Sequence, residues 1–167
     1  ADIDAAGERH PAIDHRDLAV VAVVHGLDLL DGVEFAHRDA GIAQMGQSFT
    51  RLRTKQMDLM QVHNLVDWST HLATLRGWKD KGRVRYIGIT HYTASAYAEV
   101  ERWLKTKQYD FLQINYSLGE RESENRLLPL AQELKVAVIA NRPFAEGALF
   151  RKTKDKPLPP WAAELGI

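Results

Sequence analysis

Four short apolar segments recur along the chain at a fixed pitch. They are Asp58-Leu-Met-Gln-Val-His63, Val84-Arg-Tyr-Ile-Gly-Ile89, Asp110-Phe-Leu-Gln-Ile-Asn115 and Val136-Ala-Val-Ile-Ala-Asn141. Each is about as long as a strand and rich in branched or aromatic residues. They start at positions 58, 84, 110 and 136, a step of 26 that leaves room for one strand, one helix and two short loops. Strands alternating with helices at this pitch predict parallel βαβ units, whose strands are buried on both faces.

The spacers carry helical periodicity. Trp68, Leu72, Leu75 and Trp78 share one face, and Gly82 supplies a C-terminal stop. Thr93 or Ser95 is placed to cap the next helix, with Ala96, Val100 and Trp103 on its apolar side. Leu127, Leu130, Ala131 and Leu134 form a third stripe. Pro129 lies inside that stripe and predicts a kink or a later start. Ile42, Met45, Phe49 and Leu52 predict a helix over roughly 40–54, before the Asp58–His63 strand. All four helices are expected on one side of a curling sheet. The four tryptophans, Trp68, Trp78, Trp103 and Trp161, are expected to pack helices onto it.

Residues 1–39 carry no clear period and are left as an unassigned segment ahead of a 40–167 unit. Two weak strand readings fall within them, Leu18–Val24 and Gly32–His37. At the other end, 152–160 is a charged, proline-rich loop, followed by a short apolar piece from Trp161.

Composition narrows the function. Lys+Arg and Asp+Glu both number 22, so the formal charge is zero, without the basic excess of a nucleic-acid binder. There is no cysteine, which excludes a disulfide scaffold, a thiol nucleophile and a cysteine-ligated zinc site. No apolar run reaches the ~18–20 residues that cross a bilayer, and no signal-peptide pattern opens the chain. A cytoplasmic, metal-free protein without a membrane or nucleic-acid partner is the expectation. The dinucleotide, P-loop, zincin and nucleophile-elbow motifs are all missing.

The strand ends carry the chemistry. They read His63-Asn64, Thr90-His91, Asn115-Tyr116 and Asn141-Arg142. In parallel α/β sheets ligands bind at the C-terminal ends of the strands, so these pairs predict a shared ligand rim, the alternative being strand ends that are polar only because they meet water. Asn115-Tyr-Ser117 fits a glycosylation sequon, but it follows a buried strand and is read as accidental.

The segments Asp58–His63, Gly82–Thr90, Phe111–Tyr116 and Val138–Phe144, with the preceding Ser48–Thr54, together resemble the aldo/keto reductase family. The similarity runs from about Ala40 to Ile167. It implies an α/β fold of the (β/α)8 TIM-barrel type, here incomplete. The chain would hold about half a barrel, the family's strands four to seven. The resemblance also implies NADPH as cofactor and a small aldehyde or ketone as substrate. It places His63 at the active-site histidine that polarises the carbonyl. It places Thr90, His91 and Gln113 at the positions that hold the nicotinamide amide. Asn141 falls where an aromatic commonly stacks on the nicotinamide, and Arg142 and Phe144 fall in the loop that runs along the pyrophosphate.

There are departures. His91 replaces an asparagine, and Asn141 replaces the stacking aromatic. The family's proton-donating tyrosine and its supporting lysine precede the histidine, whereas the first tyrosine here is Tyr86 and the only lysine before His63 is Lys55. The family's eighth strand would fall after Ile167. The expectation is therefore a reductase by family that is weakly active or inactive as written. The competing readings are a non-catalytic barrel derivative that binds a nucleotide or a partner, and a remnant with no function of its own. An open half barrel further predicts an exposed sheet edge and self-association.

Overall fold

A computed structural model describes residues 21–24 and 34–167. Its centre is a parallel sheet of five strands in the order β1-β2-β3-β4-β5. These are β1 (Val21–Val24), β2 (Met57–His63), β3 (Val84–Thr90), β4 (Phe111–Asn115) and β5 (Ala137–Asn141). The last four are the strands expected from the 26-residue step, parallel and adjacent in sequence order. β1 lies within the weakly read Leu18–Val24 run and pairs with β2, Val21 opposite Leu59. Among the described residues, β1 and β5 are the two edges. The sheet is thus an incomplete barrel, an arc of strands linked by helical crossovers.

The helices that follow the strands are α2 (Trp68–Asp80), α3 (Tyr97–Leu104) and α4 (Leu127–Glu133), and α1 (Glu34–Arg51) precedes β2. The second weak strand reading is overturned, because residues 34–37 open α1. After Val33 the chain reads Glu-Phe-Ala-His-Arg-Asp-Ala, with no β-branched residue, so nothing opposes continuing the helix upstream of 40. Of the two outcomes expected at Pro129, the later start is found. α4 begins at Leu127, so the proline lies in the first turn, where its missing N–H has no intrahelical partner to lose. Gly82 ends the crossover after α2 with φ +68°, a conformation that favours glycine. Thr93 stands before a short 3-10 turn leading into α3 but makes no capping bond, and its hydroxyl meets Ser95 instead.

Alternation along the strands separates two faces. Met60 and Val62, Ile87 and Ile89, and Leu112 and Ile114 point to the helices. They form one buried core with Met45 and Phe49 of α1, Leu72 and Leu75 of α2, Val100 and Leu104 of α3, and Leu127 and Leu130 of α4. Trp68 packs edge-on against Trp103 and tilted on Tyr109, and Trp78 packs edge-on against Phe49. Trp161 departs from the expected packing role, as it is 55% exposed on the short α6 (Trp161–Glu164). The opposite face carries Leu59, Gln61 and His63 of β2, Tyr86, Gly88 and Thr90 of β3, and Phe111 and Gln113 of β4. Tyr86 and Phe111 meet edge-to-face there, 5.5 Å between centroids. No described helix is long and apolar enough to cross a membrane.

Candidate functional site

The register sets the site. His63 pairs with Thr90, and Thr90 with Gln113, so three neighbouring strands present polar side chains in one row at their C-terminal ends. His63 shares the face of Leu59 and Gln61 by alternation, away from the helix-facing Met60 and Val62. Directly after it the chain turns sharply. Asn64 and Leu65 take φ +51° and +61°, and Leu65 then drops into the helical core. A left-handed leucine is uncommon, and this two-residue turn ends the strand at His63.

Gln61 lies one rung below His63 and was not singled out by sequence. It is fully buried, and its Nε2 donates to Gln113 Oε1 at 2.7 Å. The bond spans β3 at Gly88, the residue paired with Gln61. A Cβ on Gly88 would lie 2.8 Å from Gln61 Oε1 and 3.1 Å from Phe111 Cβ. Glycine at this position therefore opens the path by which one glutamine reaches the other. The only advance sign was a glutamine inside the apolar run Leu59–Val62, in phase with His63.

The remaining residues form a second group. Asn141 Nδ2 donates to the His91 carbonyl at 3.2 Å, while the His91 N–H donates to the Gln113 carbonyl at 3.1 Å. The His91 ring closes the loop behind β3. Its Nδ1 accepts the backbone N–H groups of Tyr92 at 3.0 Å and Thr93 at 3.3 Å. An Nδ1 that accepts leaves the neutral ring's proton on Nε2. Burial pushes the imidazole below its ordinary value, partly offset by Glu99. Tyr92 stacks on His91 at an interplanar angle of 10°, and the Arg142 guanidinium sits 4.5 Å above the Tyr92 ring. Arg142 also pairs with Glu146 at 3.1 Å. Phe144 stands apart from both groups, 55% exposed and packed on Phe150 of α5 (Ala148–Thr153).

Other rim groups are already engaged. Asn115, 5% exposed, accepts from the Tyr97 hydroxyl at 3.1 Å. The Tyr116 hydroxyl donates to Glu124 at 2.6 Å, and that bond raises its pKa. Arg121 also binds Glu124 and holds the carboxyl below its usual range. Lys55 follows α1 and precedes β2, at the end of that strand remote from His63. Among the described residues, no three His, Asp or Glu side chains gather as metal ligands.

The profile of the aldo/keto reductase family matches residues 28–163. The chain belongs to that family. The aldo-keto reductase YhdN of Bacillus subtilis is 25% identical over 146 residues, which cover 84% of this chain and 43% of YhdN. Aldo-keto reductase AKR11C1 of Bacillus halodurans, in its apo form, superposes with a TM-score of 0.57 at 27% identity, over 77% of this chain and 42% of that one. An aldo/keto reductase from Klebsiella pneumoniae, solved with NADP and acetate, shares the fold at a TM-score of 0.60 and 20% identity, over 80% of this chain and 46% of that one. The chain thus spans less than half the length of these family members.

Proposed function

We propose that this chain supplies the nicotinamide-holding and carbonyl-polarising part of an NADPH-dependent aldo/keto reductase acting on small aldehydes or ketones. The in-register row of His63, Thr90 and Gln113 at three neighbouring strand ends carries this reading. Family membership supports it, and so does the NADP held by the Klebsiella pneumoniae fold neighbour.

The donor set suits a carboxamide, which needs one donor and one acceptor. Gln113 Oε1 accepts from Gln61, which leaves its Nε2 to donate. The Thr90 hydroxyl does either. Asn141 Oδ1 is a buried acceptor with no partner, an orphan that a ligand N–H satisfies. Arg142 is the group for a phosphate. Its pairing with a largely exposed Glu146 is a weak hold, and a phosphate offers charge-assisted bonds in exchange. Phe144 lines the same loop. His91 Nε2–H is one further donor beside the amide-holding group.

When bound, NADPH supplies the hydride. The chain's own part in carbonyl reduction is His63, which donates to the carbonyl oxygen and stabilises the charge that develops there. No residue of this stretch is assigned the protonating role. No tyrosine precedes Tyr86, Lys55 lies at the wrong end of β2, and Tyr116 is tied to Glu124. General-acid help contributes about 10²–10⁴ in rate. These 167 residues on their own are therefore proposed to bind the cofactor and turn over slowly.

The test follows the near-ultraviolet absorbance of NADPH with a panel of aromatic aldehydes and quinones. Slow oxidation that vanishes in His63→Ala is the expected result. Rapid turnover untouched by His63→Ala would place the chemistry elsewhere. Cofactor binding without any turnover would favour a binding-only derivative.

A further inference from the structure

The structure assigns Gln61 as the positioning residue that sets which end of the Gln113 amide faces the ligand. This rests on the reading of Gln113 as a cofactor-amide contact and adds the residue that orients it. A free glutamine side chain presents either its oxygen or its nitrogen, because the two ends have similar shape. Here Gln61 Nε2 donates to Gln113 Oε1 at 2.7 Å, so that oxygen is turned toward Gln61 with one lone pair taken, and the Gln113 Nε2 donors are turned away from it, toward a ligand. Gln113 thereby offers its N–H groups to a carbonyl oxygen.

Three observations make the pairing a built feature. Gln61 is fully buried, where an amide is costly unless its bonds are made. Gly88 leaves the space between the strands that the Gln61 side chain crosses. Gln61 Oε1 has no partner, so the Gln113 bond is the only one made by the Gln61 side-chain amide among the described residues. Losing it frees Gln113 to turn, and the ligand must then bear the cost of ordering that side chain.

The experiment is an NADPH titration of the whole chain followed by amide-resolved NMR. The backbone spectrum reports the fold, and the side-chain amide signals report Gln61 and Gln113. The variants are Gln61→Met, Gln61→Glu, Gln113→Ala and the Gln61→Met/Gln113→Ala pair. Gln61→Met should keep the backbone spectrum, shift the Gln113 side-chain signals and weaken NADPH about five- to tenfold. Gln113→Ala should weaken it as much, and the pair no more, since both act through one contact. Gln61→Glu should bind nearly as wild type, because burial keeps its carboxyl neutral and its O–H donates to Gln113 Oε1. Should Gln61→Met fail to fold, Gly88→Ala replaces it, since the added Cβ displaces the Gln61 amide. If Gln61→Met binds NADPH as wild type does while Gln113→Ala is weakened, the positioning role is wrong. If Gln113→Ala itself changes nothing, the cofactor reading beneath it fails, and the positioning role fails with it.

Discussion

The Gln61 side chain crosses β3 at Gly88 to donate to Gln113 Oε1 at 2.7 Å, joining two strands that share no backbone ladder. Gly88 is thus a packing requirement of the sheet face that carries Gln61 and Gln113. Gly88→Ala would set a methyl 2.8 Å from Gln61 Oε1 and 3.1 Å from Phe111 Cβ. Overpacking of this kind costs about 1–3 kcal/mol. Urea denaturation should show that loss, and Gln61→Ala in the same chain should recover part of it, leaving the Phe111 contact. A Gly88→Ala midpoint equal to wild type would show that Gln61 moves aside freely.

A second tight approach joins α1 to α2. A Cβ on Gly41 would collide with His71 Cε1 and fall 2.6 Å from His71 Nδ1, and His71 is only 1% exposed. Glycine to alanine inside a helix ordinarily gains about 0.8–1 kcal/mol. At Gly41 the clash should reverse the sign and lower stability by about 1–3 kcal/mol. Thermal unfolding of Gly41→Ala checks this, and pairing it with His71→Ala should relieve the clash. A stabilised Gly41→Ala would mean that the helices separate without cost.

The positions of β2, β3 and β4 were legible because each is buried on its helix-facing side, which imposes apolar residues at a regular pitch; β5 kept the pitch but, against the expectation of burial on both faces, is only partly buried. The first turn of α1 was misread because the same step, carried upstream, lands on Gly32. The rim was legible in part. His63, Thr90 and Gln113 stand at strand ends, where a polar residue is conspicuous. Gln61 stands inside a strand and takes its meaning from a partner 52 positions away and from the absent side chain at Gly88. The exposure of Trp161 was equally hidden, since an aromatic on a short helix reads as packing whether or not anything covers it.

His91 gives the rim a pH dependence. Its Nδ1 accepts two backbone N–H groups only while the ring is neutral, and burial lowers its pKa from the ordinary value. A lowered pKa means that the unfolded chain takes up the proton first. The stability it contributes is therefore complete above the ordinary value of 6.5 and is lost as pH falls through the lowered folded value. His91→Asn keeps an acceptor for the turn but does not titrate. Its urea midpoint should fall less steeply than wild type on acidification below pH 6.5. Parallel pH profiles for the two proteins would remove His91 as the cause.

The central claim is that the row of His63, Thr90 and Gln113 holds the nicotinamide end of NADPH. Calorimetric titration of NADPH into the wild-type chain and Gln113→Ala tests it most directly, with Leu158→Ala, at a residue 66% exposed in the proline-rich loop, as the control. Saturable binding, weakened about fivefold or more in Gln113→Ala and unchanged in Leu158→Ala, is the predicted result. No saturable binding, or equal affinity in wild type and Gln113→Ala, would contradict it.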